Sequence, residues 1–156
     1  MALDMDFSRL QPHDVLDLAI FAEDEAHEQY EHFAAVMESA GNRDVARFFE
    51  KMAFREKLHH DQLAERRRAL YPDASPNLAN RAVWSIEAPY DETAAPTLTA
   101  AAAFALALAA EKRAEEYYAA ALAHVAQPEV STLFEALRQS EIEHQRMLEL
   151  ERAKQG

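Results

Sequence analysis

Two stretches of this chain occur twice. Residues 20–34 read IFAEDEAHEQYEHFA, and residues 108–122 read LAAEKRAEEYYAAAL. At that offset Ala22 and Ala110, Glu23 and Glu111, Ala26 and Ala114, Glu28 and Glu116, and Tyr30 and Tyr118 coincide. Residues 45–63 read VARFFEKMAFREKLHHDQL, and residues 130–148 read VSTLFEALRQSEIEHQRML. Here Val45 and Val130, Phe49 and Phe134, Glu50 and Glu135, Glu56 and Glu141, His59 and His144, and Leu63 and Leu148 coincide. A duplicated unit limits the fold to two like halves, related by pseudo-twofold symmetry.

The unit is helical. The 156 residues include only two glycines, Gly41 and Gly156, which disfavours a sheet protein with many tight turns. Four of the six prolines fall in 71–97, while Pro12 and Pro128 precede long periodic stretches, where proline suits a first helical turn. The pattern predicts helices over about 14–40, 43–70, 98–126 and 128–153. Gly41 is the first stop signal, Asn42 the second cap and Thr97 the third. The first two helices and the last two are joined so briefly that each pair forms an antiparallel hairpin. The crossover 71–97, with Trp84 as a plug, is long enough to run the length of a bundle. Such a loop makes sense if the second and third helices run parallel. The expectation is a single all-α domain over 1–156, an antiparallel four-helix bundle of two repeated hairpins with one long crossover.

Each apolar stripe carries a polar interruption near mid-length. The first runs through Leu16, Ala19, Ile20, Ala26, Tyr30, Phe33 and Met37, with Glu23 inside it. The second runs through Val45, Phe48, Phe49 and Met52 into Glu56, His59 and Leu63. The third holds Glu111 between Leu108 and Ala114, and the fourth holds Glu141 and His144 between Leu137 and Leu148. Four carboxylates and two imidazoles therefore face one core. Buried unpaired carboxylates are costly and repel one another. Two divalent cations balance four carboxylates with both imidazoles neutral. Glu-x-x-His puts two ligands on one helix face, one turn apart. One Glu from each of two helices plus Glu-x-x-His from each of the others is a dinuclear carboxylate arrangement. Oxygen-rich ligation with imidazole suits Fe(II) or Mn(II), and two ferrous ions offer two electrons to O2 or H2O2.

The motifs Glu23-x-x-Ala26-x-x-x-Tyr30, Glu56-x-x-His59, Glu111-x-x-Ala114-x-x-x-Tyr118 and Glu141-x-x-His144 resemble those of the ferritin-like di-iron superfamily, specifically its rubrerythrin-like and bacterioferritin-like members. The resemblance covers essentially the whole chain. It implies a ferritin-like bundle in which Glu56 and Glu141 bridge two irons. Glu23 and His59 would complete one iron, Glu111 and His144 the other, and Tyr30 and Tyr118 would donate hydrogen bonds to the ligands. It further implies a homodimer. Three departures stand out. The further carboxylate of rubrerythrins, one turn past the third-helix glutamate, is replaced by Ala114, with Glu115 one residue on. Lys57 stands where haem-binding bacterioferritins have methionine, so no haem is expected. The chain ends at Gly156, barely past the fourth helix, so a 24-subunit store is not expected.

Composition narrows the classes. With no cysteine there is no disulfide, thiolate zinc site, Cys nucleophile or rubredoxin-type centre, so reductant must come from an external electron-donor protein. A net charge of −12 repels phosphate backbones, so nucleic acid is not an expected partner. The acidic N-terminus lacks the apolar core of a secretory signal, and no run is long enough to span a bilayer. A cytoplasmic protein without a membrane partner is the expectation. His27 is expected to flank the site, His60 to point away from it, and His13, His32 and His124 to lie on the surface. Arg66, Arg67 and Arg68 are read as cations favoured at a helix C-terminus. The functional expectation is a non-haem di-iron oxidoreductase handling Fe(II) with O2 or H2O2. The alternatives are iron binding without turnover, an oxygenase on an organic substrate, and a structural bundle with zinc, calcium or no metal.

Overall fold

Proline, asparagine and threonine start the helices, each for its own reason. The computed structural model describes residues 5–77 and 98–155; crossover residues 78–97, Trp84 and Thr97 among them, lie outside these. Helix α1 spans Pro12–Ser39 and starts two residues earlier than the pattern suggested. Its N-terminus is a capping box, in which Asp14 Oδ2 accepts from the Gln11 backbone N–H at 2.9 Å. Gly41 follows α1 with φ +81°, a conformation that β-carbon crowding denies most residues. Asn42 then accepts from the Val45 N–H and opens α2, Arg43–Leu70.

Helix α3 is shorter than expected, Ala100–Leu122. Its cap is Thr99, whose hydroxyl accepts from the Ala102 N–H at 3.1 Å. It stops before Ala126 because the N–H groups of Ala123 and His124 turn back to the Ala120 and Ala121 carbonyls, and the His124 ring stacks on Phe7 at 4.9 Å. Helix α4 is Pro128–Lys154, with proline in its first turn.

Cross-helix contacts give the directions. Along α1, Asp17 meets Arg67, Glu23 meets His59 and His27 meets Ala53, so α1 and α2 are antiparallel. Val15 meets Tyr117, Glu23 meets Tyr118 and Tyr30 meets Glu111, so α1 and α3 are antiparallel too. Helices α2 and α3 therefore run parallel, which a short turn cannot achieve. The result is the ferritin-like bundle, two hairpins (α1–α2 and α3–α4) joined by the crossover.

Two apolar layers fill the bundle at opposite ends. One gathers Leu16, Leu18, Leu63, Tyr117, Phe134 and Leu137; the other gathers Phe33, Met37, Phe48, Phe49, Met52 and Phe104. Between them lie the interruptions Glu23, Glu56, His59, Glu111, Glu141 and His144, all buried. Ile20, Ala26 and Ala114 are only half-buried, while Val15, Leu18 and Ala22 belong to the core in addition to the expected stripe. Among the described residues no helix is long and apolar enough to cross a membrane.

Arg67 corrects one reading of the sequence. It is more than a helix-terminal cation, since its guanidinium donates to Asp17 on α1 at 2.8 Å and to the Ala74 carbonyl at 2.8 Å, and also to the Tyr71 carbonyl. It ties the end of α2 to α1 and to the first residues of the crossover.

Candidate metal centre

The six charged interruptions meet at mid-bundle because each stands on the inward stripe of its helix. Two groups form. Glu23, Glu56, His59 and Glu141 offer ligand atoms within 4.8 Å of one another, as do Glu56, Glu111, Glu141 and His144. Glu56 and Glu141 belong to both groups. They stand between the two, one on α2 and one on α4, at matching positions of the repeat.

The two outer carboxylates are held crosswise. The Tyr30 hydroxyl of α1 donates to Glu111 Oε1 of α3 at 2.7 Å, and the Tyr118 hydroxyl of α3 donates to Glu23 Oε1 of α1 at 2.7 Å. Each tyrosine thus orients the glutamate of the other half. The imidazoles lie on the α2–α4 side, stacked with centroids 5.3 Å apart. His59 Nδ1 is 3.5 Å from Glu23 Oε2 and 3.4 Å from Glu141 Oε1. His144 Nδ1 is 2.7 Å from Glu56 Oε1 and hydrogen-bonded to Glu111 Oε2 at 3.3 Å.

Burial and mutual repulsion set the protonation. Burial first, then the Glu111 and Glu23 charges, pushes Glu56 well above the usual carboxylate range. Burial and the charges of Glu111, Glu56 and Glu23 do the same to Glu141. Burial also pushes Glu23 up, but the polar groups of His59 and Glu56 beside it outweigh that and hold Glu23 at about 2. Glu111 is lowered likewise, its burial outweighed by hydrogen bonding with Glu141, His144 and Tyr30. Burial and the facing carboxylates keep Tyr30 and Tyr118 far above their ordinary values, so both remain donors. Burial and charge thus favour protonation of the shared pair, Glu56 and Glu141, over the outer pair.

The donor set fits two divalent cations. Among the described residues, Glu23 Oε2, Glu56 Oε1, both carboxylate oxygens of Glu141 and His59 Nδ1 are buried without a hydrogen-bond partner. Buried polar atoms are otherwise paired almost without exception, and these all converge on the two groups. Four carboxylates and two imidazoles match hard or borderline divalent ions.

Opposite the imidazoles, a cavity of about 30 Å³ reaches the carboxylates between α1 and α3. Ala26 and Ala114, equivalent by the repeat, leave the room, and Gln29 and Arg113 line it. By volume it takes a water-sized molecule or two. Glu115 turns instead to α4, where it accepts from Gln145 at 2.8 Å, so the cavity wall at Ala114 has no carboxylate.

Of the flanking histidines, His27 bonds the Ala53 carbonyl at 2.8 Å and lies beside Glu31, and His60 lies beside Asp24 and Asp61. His13 and His32 are half-buried rather than on the surface: His13 is wedged against Asp14 and Tyr71, and His32 lies against Phe33. His124 is exposed. Two residues near the site were not read from the sequence. Tyr117 is buried and donates to the Val15 carbonyl at 2.6 Å, and Ser140 Oγ lies 2.9 Å from His59 Nε2. For Ser140 the available signal was a mismatch in the repeat, since its equivalent is Arg55.

The Rubrerythrin family model matches residues 14–151. A crystal structure of a conserved, uncharacterised protein from Magnetospirillum magnetotacticum MS-1 superposes with a TM-score of 0.76 and 32% identity. The match covers 93% of this chain and 95% of that one. No curated protein matches the sequence.

Proposed function

From the premise that this chain belongs to the rubrerythrin family, we propose that it is a non-haem di-iron carboxylate protein that oxidises Fe(II) or reduces O2 or H2O2. One observation carries the reading: Glu56 and Glu141 are shared by two four-residue ligand groups, with buried oxygens that no hydrogen bond satisfies. Glu23 and His59 would hold one ion, Glu111 and His144 the other, and the shared pair both. Two bound ferrous ions supply two electrons to an oxidant.

The protein's own part is positioning and exclusion. Tyr30 and Tyr118 keep Glu111 and Glu23 oriented across the bundle. The two apolar layers keep bulk water from reaching the carboxylates along the bundle axis. The protons on Glu56 and Glu141 leave when metal enters, so loading releases protons. The cavity between Ala26 and Ala114 favours a small oxidant over an organic substrate. The protein lacks cysteine, so electrons for repeated turnover come from an external donor protein. A homodimer is part of the same proposal.

The test is anaerobic loading with Fe(II) followed by one equivalent of H2O2 or O2, watched by absorbance in stopped flow. The reading expects oxidation complete within seconds, and many turnovers when a reductant is supplied. Oxidation no faster than that of Fe(II) in buffer would reject the oxidoreductase. A single fast oxidation with no turnover would replace it with an iron-binding protein.

A further inference from the structure

The pseudo-twofold symmetry of the six-residue set is broken behind the two imidazoles. His59 Nδ1 faces Glu23 and Glu141, and its other nitrogen, Nε2, lies 2.9 Å from Ser140 Oγ on α4. His144 Nδ1 faces Glu56 and Glu111 in the same way, but its Nε2 is buried with no hydrogen-bond partner among the described residues. The residue equivalent to Ser140 in the repeat is Arg55, an exposed side chain one position before Glu56.

This difference has a chemical consequence. An imidazole binds a cation through a bare nitrogen, so its proton must sit on the other one. For both histidines the nitrogen facing the carboxylates is Nδ1, so the proton belongs on Nε2. At His59 that N–H has an acceptor waiting in Ser140. At His144, Nδ1 stands 3.3 Å from Glu111 Oε2. A cation held by Nδ1 there puts the proton on Nε2, which has no acceptor among the described residues. A buried N–H without an acceptor carries its full desolvation penalty.

We infer that Ser140 is a positioning residue for His59 and that it makes the two metal positions unequal, the Glu23–Glu56–His59–Glu141 position filling before its mate. The inference rests on the dinuclear reading above. An outer partner of a metal-bound histidine typically changes affinity by roughly 10–100-fold, so the two steps should be separated by about that factor. Ser140→Ala should weaken the first step by roughly 10–100-fold while leaving the second unchanged. Ser140→Thr keeps the hydroxyl and should restore the wild-type separation.

The experiment is an anaerobic titration of the full chain with Mn(II) and with Fe(II), resolved into two steps. Alongside it, 1H–15N spectra of the Zn(II)-loaded protein report the imidazole N–H signals. The expected results are two resolved steps in the wild type and a slowly exchanging His59 Nε2–H. In Ser140→Ala that signal exchanges fast, and Ser140→Thr returns both features. Two ions bound with equal affinity in the wild type, or an unchanged first step and N–H exchange in Ser140→Ala, would overturn the inference while leaving the dinuclear site intact. No binding of either metal by the wild type would overturn the dinuclear reading itself, and this inference with it.

Discussion

Glu56 and Glu141 sit where burial and neighbouring carboxylates both favour the protonated form. A carboxyl whose folded pKa is raised stabilises the fold below its unfolded value, and that contribution is lost as pH rises through the folded value. Glu23, held at about 2, has the opposite sign: its contribution is present above the unfolded value and is lost as pH falls towards 2. With chelator present, the melting temperature should therefore fall as pH is raised above the ordinary carboxylate range, and Glu56→Gln/Glu141→Gln should flatten that fall. A metal-free melting temperature that rises with pH there would contradict the assignment. The tyrosines give a second prediction at this scale. Tyr118→Phe removes the donor to Glu23 and should cost the metal-free protein about 2 kcal/mol in denaturant unfolding, since hydrogen bonds to charged groups are the stronger kind. Tyr117→Phe, which loses a bond to a neutral carbonyl, should cost about 1 kcal/mol. The six buried polar residues at mid-bundle were legible in the sequence because each interrupts an apolar stripe on its own helix. Ser140 was not legible, because its contact with His59 joins two helices and depends on their rotation.

At the scale of elements, helix α2 was read to the residue and α3 was not. Asn42 and Gly41 fix the α1–α2 turn by local chemistry that one sequence displays. Just past the end of α3, His124 stacks on Phe7, more than a hundred residues away in sequence, and the alanine-rich residues before it offer no stop signal. The turn supplies a clean test. A Cβ at Gly41 would meet nothing within 4 Å, so Gly41→Ala acts through the backbone alone. It should cost about 1 kcal/mol, measured by denaturant unfolding, with metal stoichiometry unchanged. Arg67 was likewise visible only as one of three arginines, and its partner Asp17 lies fifty residues back on α1. Arg67→Ala leaves Asp17 half-buried without its cation and should lower stability by roughly 1–3 kcal/mol, again without changing metal content.

At the scale of the molecule, charge is segregated between neighbouring helices. Helix α1 carries eight acidic residues and no Lys or Arg, whereas α2 carries eight of the sixteen Lys and Arg. Phe54 and Leu58 stand exposed on α2, beside a groove between the two helices lined by Glu31, Glu38 and Lys57. A homodimer formed on this face about a twofold axis sets the acidic α1 of one copy against the cationic α2 of its partner and covers both apolar side chains. Light scattering coupled to gel filtration should give a dimer, and Phe54→Asp/Leu58→Asp a monomer. A dimer that survives both substitutions places the interface elsewhere.

The bundle and the parallel run of α2 and α3 followed from the repeat and the crossover, because a duplicated hairpin with a long crossover has few ways to bury four inward stripes. The central claim is that two ions share Glu56 and Glu141 between the two apolar layers. The most direct measurement is an anaerobic Fe(II) titration counting tightly bound equivalents per chain, for the wild type and for Glu56→Ala and Glu141→Ala. The account predicts two equivalents in the wild type and loss of tight binding in both variants. Saturation at one equivalent, or two equivalents retained when either shared glutamate is removed, would contradict it.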